Sequence, residues 1–233
     1  MSESKTPFLD MFEDPDHIAG YADGPAKFMP GYQDVQRMAI ALIRERAPET
    51  ARVLVHGAGG GLELEAFATA NPEWRFLGVD PAKLMVEAAR HRLGDMAARA
   101  DFHVGYIEDA PRGPFDAATS LLTLHFLDVD ARRNAVAEIV SRLTPGAPVI
   151  VAHSSFPQGE RERDLWLSRY EAFGIATGVD PAMAGTARQA VAAGMPILDP
   201  ETDAAILRQG GLRDVTPFYH AFTWRGWVGT APE

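Results

Sequence analysis

The chain has no cysteine among its 233 residues. That excludes a disulfide framework, thiolate-bound zinc, iron–sulfur clusters and a cysteine nucleophile. It also has no run of lysine and arginine, and 22 basic against 32 acidic residues leave a formal net charge of −10. Such a chain has no general attraction for nucleic-acid phosphates or anionic membranes, so neither is expected as a partner. No stretch approaches the roughly 18 apolar residues of a membrane span. The opening MSESKTPFLDMFEDPD lacks the basic start and apolar core of a secretory signal, so a cytoplasmic location is expected. With 46% hydrophobic and 23% charged residues, the chain can bury a core without a covalent or metal staple.

What is present alternates. Residues 1–30 are rich in Pro, Gly and Asp, with Phe8, Phe12, Tyr21 and Phe28 scattered among them, and read as short helices and loops. From Tyr32 the residues Val35, Met38, Ala39, Leu42 and Ile43 recur at helical spacing, and Pro48 ends that helix. Apolar strands are then predicted at Arg52–His56, Arg75–Val79, Asp101–Gly105, Phe115–Leu121 and Pro148–His153, with helices between several of them. Strand–helix alternation with apolar strands implies a mostly parallel sheet covered on both faces. The last third reads as helices at Glu160–Phe173, Pro181–Ala193 and Glu201–Gln209. Two strands, Asp214–His220 and Phe222–Val228, follow and should pair antiparallel.

The stretch Val53–Leu62 carries the chemistry. Gly57, Gly59 and Gly61 lie between a strand and a helix, where glycine allows positive φ and close approach of a ligand. Such a loop is expected to offer free N–H groups at the helix N-terminus. Asp80 closes the next strand 23 residues after Gly57, the position from which an acid takes ribose hydroxyls. A phosphate-cradling loop needs Lys and Ser/Thr after the last glycine, and Leu62-Glu63 stand there instead. Leu62 also occupies the last small-residue position of the dinucleotide pattern G-x-G-x-x-G/A, which counts against a nicotinamide oxidoreductase. The remaining readings are a ligand with ribose but no phosphate, or a glycine turn that only permits tight packing.

The ordered segments VLVHGAGGGLELEAFA, FLGVDPAKLMVEAAR, GYIEDAP, FDAATSLLTLHFL and LTPGAPVIVAH resemble those of class I S-adenosylmethionine (SAM)-dependent methyltransferases. The closing GGLRDVTPFYHAFTWRGWVG is similar to their terminal hairpin. More narrowly, PGYQDVQRM and LLTLHFL resemble the carboxy-SAM synthase branch. The resemblance implies an α/β, Rossmann-like, doubly wound sheet of seven mostly parallel strands in the order 3-2-1-4-5-7-6, with an antiparallel C-terminal hairpin and a helical lid. One domain would then span 1–233: an N-terminal helical cap (1–48), a SAM-binding core (49–155), a helical insertion (156–198) and a C-terminal helix and hairpin (199–233). Position by position, Gly57, Ala58 and Gly59 would line the methionine part of SAM and Asp80 would take both ribose hydroxyls. Pro81 and Met85 would flank the adenine, and Tyr106 and Ile107 would meet its edge. Leu121 would approach through its backbone, and Tyr32 would close over the methionine end. The sequence departs from the family at Val55 and Tyr106, where an acid is common.

His125, past the fourth strand, and His153, ending the fifth, are the candidate catalytic bases or substrate contacts; each could equally be a packing histidine. Neither has a second ligand nearby, so no metal is expected. Arg188 and Tyr170 are the candidate substrate contacts. In the narrower resemblance, the neighbourhood of Arg188 supplies an arginine that pairs with a ligand carboxylate. The implied function is methyl transfer from SAM to a small-molecule substrate. A carboxy-SAM synthase using a carboxylated donor and a non-catalytic SAM-binding protein are the alternatives, and a homodimer is compatible with all three.

Overall fold

The computed structural model describes residues 9–233, with 10, 11, 16, 17 and 19 described by backbone alone. The predicted cap residues 1–8, Phe8 included, lie outside the described residues. Three short helices come first: α1 (Leu9–Phe12), α2 (Pro15–Tyr21) and α3 (Gly24–Phe28). Gly31 follows at φ +66°, a left-handed conformation that glycine adopts without strain, and starts α4 (Tyr32–Arg44).

The α/β core then runs β1 (Arg52–His56), α5 (Leu62–Ala70), β2 (Arg75–Asp80), α6 (Lys83–Leu93), β3 (Ala100–Val104), β4 (Ala117–Leu121), α7 (Val129–Val140) and β5 (Pro148–Ser154). The chain continues with α8 (Glu160–Ala176), α9 (Pro181–Gly194), α10 (Pro200–Gln209), β6 (Arg213–Ala221) and β7 (Trp224–Thr230). The seven strands form one sheet in the order β3-β2-β1-β4-β5-β7-β6. The first five are parallel, and β7 is antiparallel to both β5 and β6. This is the architecture that the sequence implies.

Alternate side chains of each central strand supply two cores. Val53, Val55, Ala117, Ile150 and Ala152 pack under α4 and α5. Leu54, Leu77, Val79, Ala118, Val149 and Val151 pack under α7 and α10. Every residue of β4 and β5 is buried, as a strand covered on both faces requires. Helix starts follow local chemistry. Asp128, Asp180 and Asp199 each accept backbone N–H groups in the first turn of α7, α9 and α10. Pro181 and Pro200 then occupy the position where a missing N–H costs nothing. Each such cap contributes about 1 kcal/mol. Among the described residues no helix is long and apolar enough to cross a membrane.

Candidate cofactor and acceptor site

The carboxyl ends of β1, β2 and β4 converge on the glycine loop, where parallel α/β sheets hold their ligands. Asp80 ends β2 and is 9% exposed. One carboxylate oxygen accepts from Gly59 N–H at 2.8 Å and the other from Ala82 N–H at 2.9 Å. A carboxylate has about four acceptor sites, so each oxygen keeps one for a hydroxyl. Burial raises the Asp80 pKa, opposed by those two N–H groups.

The loop amides are not free. Gly57 and Ala58 both donate to the Val79 carbonyl, Gly59 donates to Asp80, and Gly61 donates to the Ala58 carbonyl. The expectation that the loop offers free N–H groups at the helix N-terminus is therefore corrected at these four residues, because the end of β2 consumes the first three and the Ala58 carbonyl the fourth. Two of the glycines also answer to packing. A Cβ on Gly57 would lie 2.0 Å from the Thr123 hydroxyl, and one on Gly61 would lie 2.8 Å from the Ala89 backbone. Gly59 faces the cleft, where its missing Cβ would stand 3.0 Å from the Tyr21 hydroxyl.

Tyr21 is a residue that sequence reading did not assign to the site. It lies over Gly59 and Gly60, beside the Met85 side chain. Burial pushes its phenol well above the ordinary value, and the charges of Asp80 and Glu63 push the same way. Its neighbour Phe12 packs edge-on at 5.6 Å against Phe126, and the Lys83 amide donates to Glu13 at 2.5 Å. The cap thus closes over the loop through α1 and α2. Tyr32 starts α4, and burial raises its phenol too, with the charges of Tyr21 and Glu63 adding to the shift. Met85 is buried beside Gly59 and Gly60, Ala58 and Leu121 are buried in the core under α4 and α5, Ile107 is buried in the core under α7 and α10, and Pro81 is half-buried beside Asp80. Tyr106 is 44% exposed, so its side chain offers a surface rather than an enclosed contact.

His125 sits in the turn after β4 and is buried. Its Nδ1 accepts the Ser154 N–H at 3.1 Å. A backbone amide can only donate, so the neutral ring carries its proton on Nε2. Burial holds its pKa well below 6.5, with the neighbouring His153 and Arg132 adding to the effect. His125 is therefore a neutral donor at Nε2, which removes the general-base role suggested for it. His153 is fully enclosed on the α10 side, its Nε2 3.2 Å from an Asp203 oxygen. Arg132 of α7 pairs with the other oxygen of Asp203. With no exposed ring atom, His153 is a buried partner of Asp203 rather than a catalytic group.

The substrate candidates lie in the insertion. Tyr170 stacks on Phe28 with ring centres 4.7 Å apart and joins α8 to the cap. Arg188 of α9 is engaged from both sides by α8, with Glu171 at 2.8 Å and Asp164 at 2.6 Å. Its fork of donors is spent on its own chain, which corrects the assignment to a ligand carboxylate. Arg188→Ala should therefore leave SAM affinity within about twofold. The loss of stability should be about 1 kcal/mol, as for other exposed pairs, and thermal melting with calorimetry would measure both. Among the described residues no three His, Asp or Glu side chains group to hold a metal.

These residues fit SAM. Asp80 has acceptor capacity for a ribose, and Met85 offers an apolar side chain beside Gly59. Residues 53–146 match a family model described as a methyltransferase domain. The carboxy-S-adenosyl-L-methionine synthase of Campylobacter lari is 23% identical over 188 residues, covering 80% of each chain. An O-methyltransferase family protein from Burkholderia thailandensis superposes with a TM-score of 0.69 at 16% identity, over 96% of this chain and 62% of that one. Human N-acetylserotonin methyltransferase, solved with SAM, gives 0.67 at 13% identity, over 100% of this chain and 61% of that one. The chain thus spans about three fifths of the length of those two solved proteins. Sheet order gives the chain the fold of those solved methyltransferases, and the methyltransferase-domain match covers its central part. S-adenosylmethionine is the cofactor that these similarities indicate.

Proposed function

We propose that the protein transfers the methyl group of SAM to a small-molecule acceptor held under the cap and the α8–α9 insertion. The observation that carries this reading is Asp80, poised at the tip of β2 with acceptor capacity left on each oxygen. When bound, SAM supplies an electrophilic methyl on a sulfonium, so catalysis rests mainly on alignment and exclusion of water. Asp80 holds the ribose, Met85 and Ile107 flank the base, and Tyr21 and Tyr32 cover the loop. A net charge of −10 argues against a nucleic-acid acceptor.

A carboxy-SAM synthase reading has one observation in its favour, the 23% identity to such an enzyme. It lacks a free arginine at Arg188. Mass spectrometry of the copurifying ligand separates the two: SAM or S-adenosylhomocysteine is expected, and a carboxylated SAM would overturn the methyltransferase reading. Release of S-adenosylhomocysteine with a pool of small acceptors is the matching activity test. Because His125 stays neutral, turnover should show no limb with an apparent pKa between about 6 and 7. A pH–rate profile with such a limb that disappears in His125→Gln would restore the general-base role.

A further inference from the structure

Glu63 belongs to no role described so far. It lies in the first turn of α5 and is 5% exposed. Its carboxyl accepts from the Thr119 hydroxyl. Thr119 is the register partner of Val55 on β4, and the two share the sheet face packed under α4 and α5. The carboxyl is thus carried back from the helix onto the strand floor, level with Val55, two residues before the glycine loop. No cation of the fold pairs with it among the described residues. Its field reaches both Tyr21 and Tyr32. A buried carboxyl without a counter-ion is costly, and burial pushes its pKa up to about 8. Arg92, a cation whose charge acts on the same tyrosines, is spent on Glu65 and the Gly60 carbonyl.

Resting on the SAM reading above, we infer that Glu63 is the acceptor for the α-ammonium of the cofactor's methionine part. SAM is cationic at that end, and this carboxyl lacks a cation. An ammonium donates up to three hydrogen bonds. Here Glu63 takes one, with the Thr119 hydroxyl beside it. Because Val55 is apolar, the strand floor supplies no acid of its own.

The test is calorimetry with two ligands, S-adenosylhomocysteine and its analogue with hydrogen in place of the α-amino group. The native protein should bind the amino form about ten- to hundredfold more tightly, the range of a charge-assisted hydrogen bond. In Glu63→Gln, which keeps an acceptor for Thr119, the two ligands should bind within about twofold of each other. Titration of the native protein in buffers of different ionisation heat adds a readout that needs no variant. Binding of the amino form near pH 7 should release close to one proton, since Glu63 loses its proton on meeting the ammonium. Tyr21 and Tyr32, on which the Glu63 charge acts, are held protonated by burial, and Arg92 is tied to Glu65 and the Gly60 carbonyl. The analogue should release none. Equal affinity of the native protein for both ligands, or an undiminished preference in Glu63→Gln, would overturn the inference. Failure of the native protein to bind either ligand would instead overturn the SAM reading itself.

Discussion

Asp80→Ala should weaken SAM binding by about a hundred- to ten-thousandfold. The two ribose hydrogen bonds are charge-assisted and worth about 1.5–3 kcal/mol each, and every 1.4 kcal/mol is tenfold in affinity. The variant also loses the bonds that tie Gly59 and Ala82 to the end of β2. The loop itself should therefore loosen, and the ligand-free melting temperature should drop modestly. Asp80→Asn is the sharper variant. It preserves shape but places an NH₂ group opposite one of two backbone N–H donors, so it should bind SAM nearly as poorly. The pH dependence has a definite sign. Burial raises the Asp80 pKa, and the cofactor favours the ionised form. Affinity should therefore fall on acidification, and should begin to fall at a higher pH than for an ordinary carboxylate. Calorimetry on both variants, with circular dichroism to confirm folding, decides the matter. Unchanged SAM affinity in a folded Asp80→Ala would remove Asp80 from the site.

The sheet was legible because its strands are apolar runs bounded by turn residues, and those runs survive in the structure almost residue for residue. Arg52–His56 and Leu62–Ala70 coincide with β1 and α5. The fourth strand starts at Ala117 rather than Phe115, because Phe115 pairs separately with Leu143. Asp80 was legible for the same reason, since it marks a strand end. The destination of the loop amides was not. Their acceptor, the Val79 carbonyl, is a backbone group that every residue type provides. Nor was Glu63, which reads from periodicity as one of two solvated glutamates in a first turn. Only the β1–β4 register brings it against Thr119, 56 positions away. Arg188 shows the opposite failure. A resemblance gave it a ligand, whereas α8 already carried two acids at the spacing that meets it across the helix pair.

The largest stability effect is expected at a cluster that no local pattern announces, Arg132, His153 and Asp203. Arg132 and Asp203 are 71 positions apart, join α7 to α10 and have no exposed side-chain surface. Arg132 also donates to the carbonyls of Leu127 and Pro196, so its charge is held by three acceptors. Burial alone would raise the pKa of Asp203, but the charges of His153 and Arg132 outweigh it and hold the carboxyl at about 2. A depressed acid contributes stability that is fully present above its unfolded value near 4 and is lost as pH falls through 2. At neutral pH that contribution is about 2 kcal/mol. Asp203→Asn goes further, because it leaves the Arg132 guanidinium buried without a counter-charge, at a cost of about 3–5 kcal/mol. For a chain of this size that lowers the melting temperature by about 10 °C or more. Between pH 4 and 2 the native protein should lose stability more steeply than the variant, which has no proton to take up at this position. Replacing the pair together, Arg132→Met with Asp203→Leu, should recover most of the loss, since neither charge is then stranded. Thermal melts of the three proteins from pH 7 to pH 2 measure all of this. If Asp203→Asn melts within about 2 °C of the native protein at pH 7, the cluster does not hold α10 to α7.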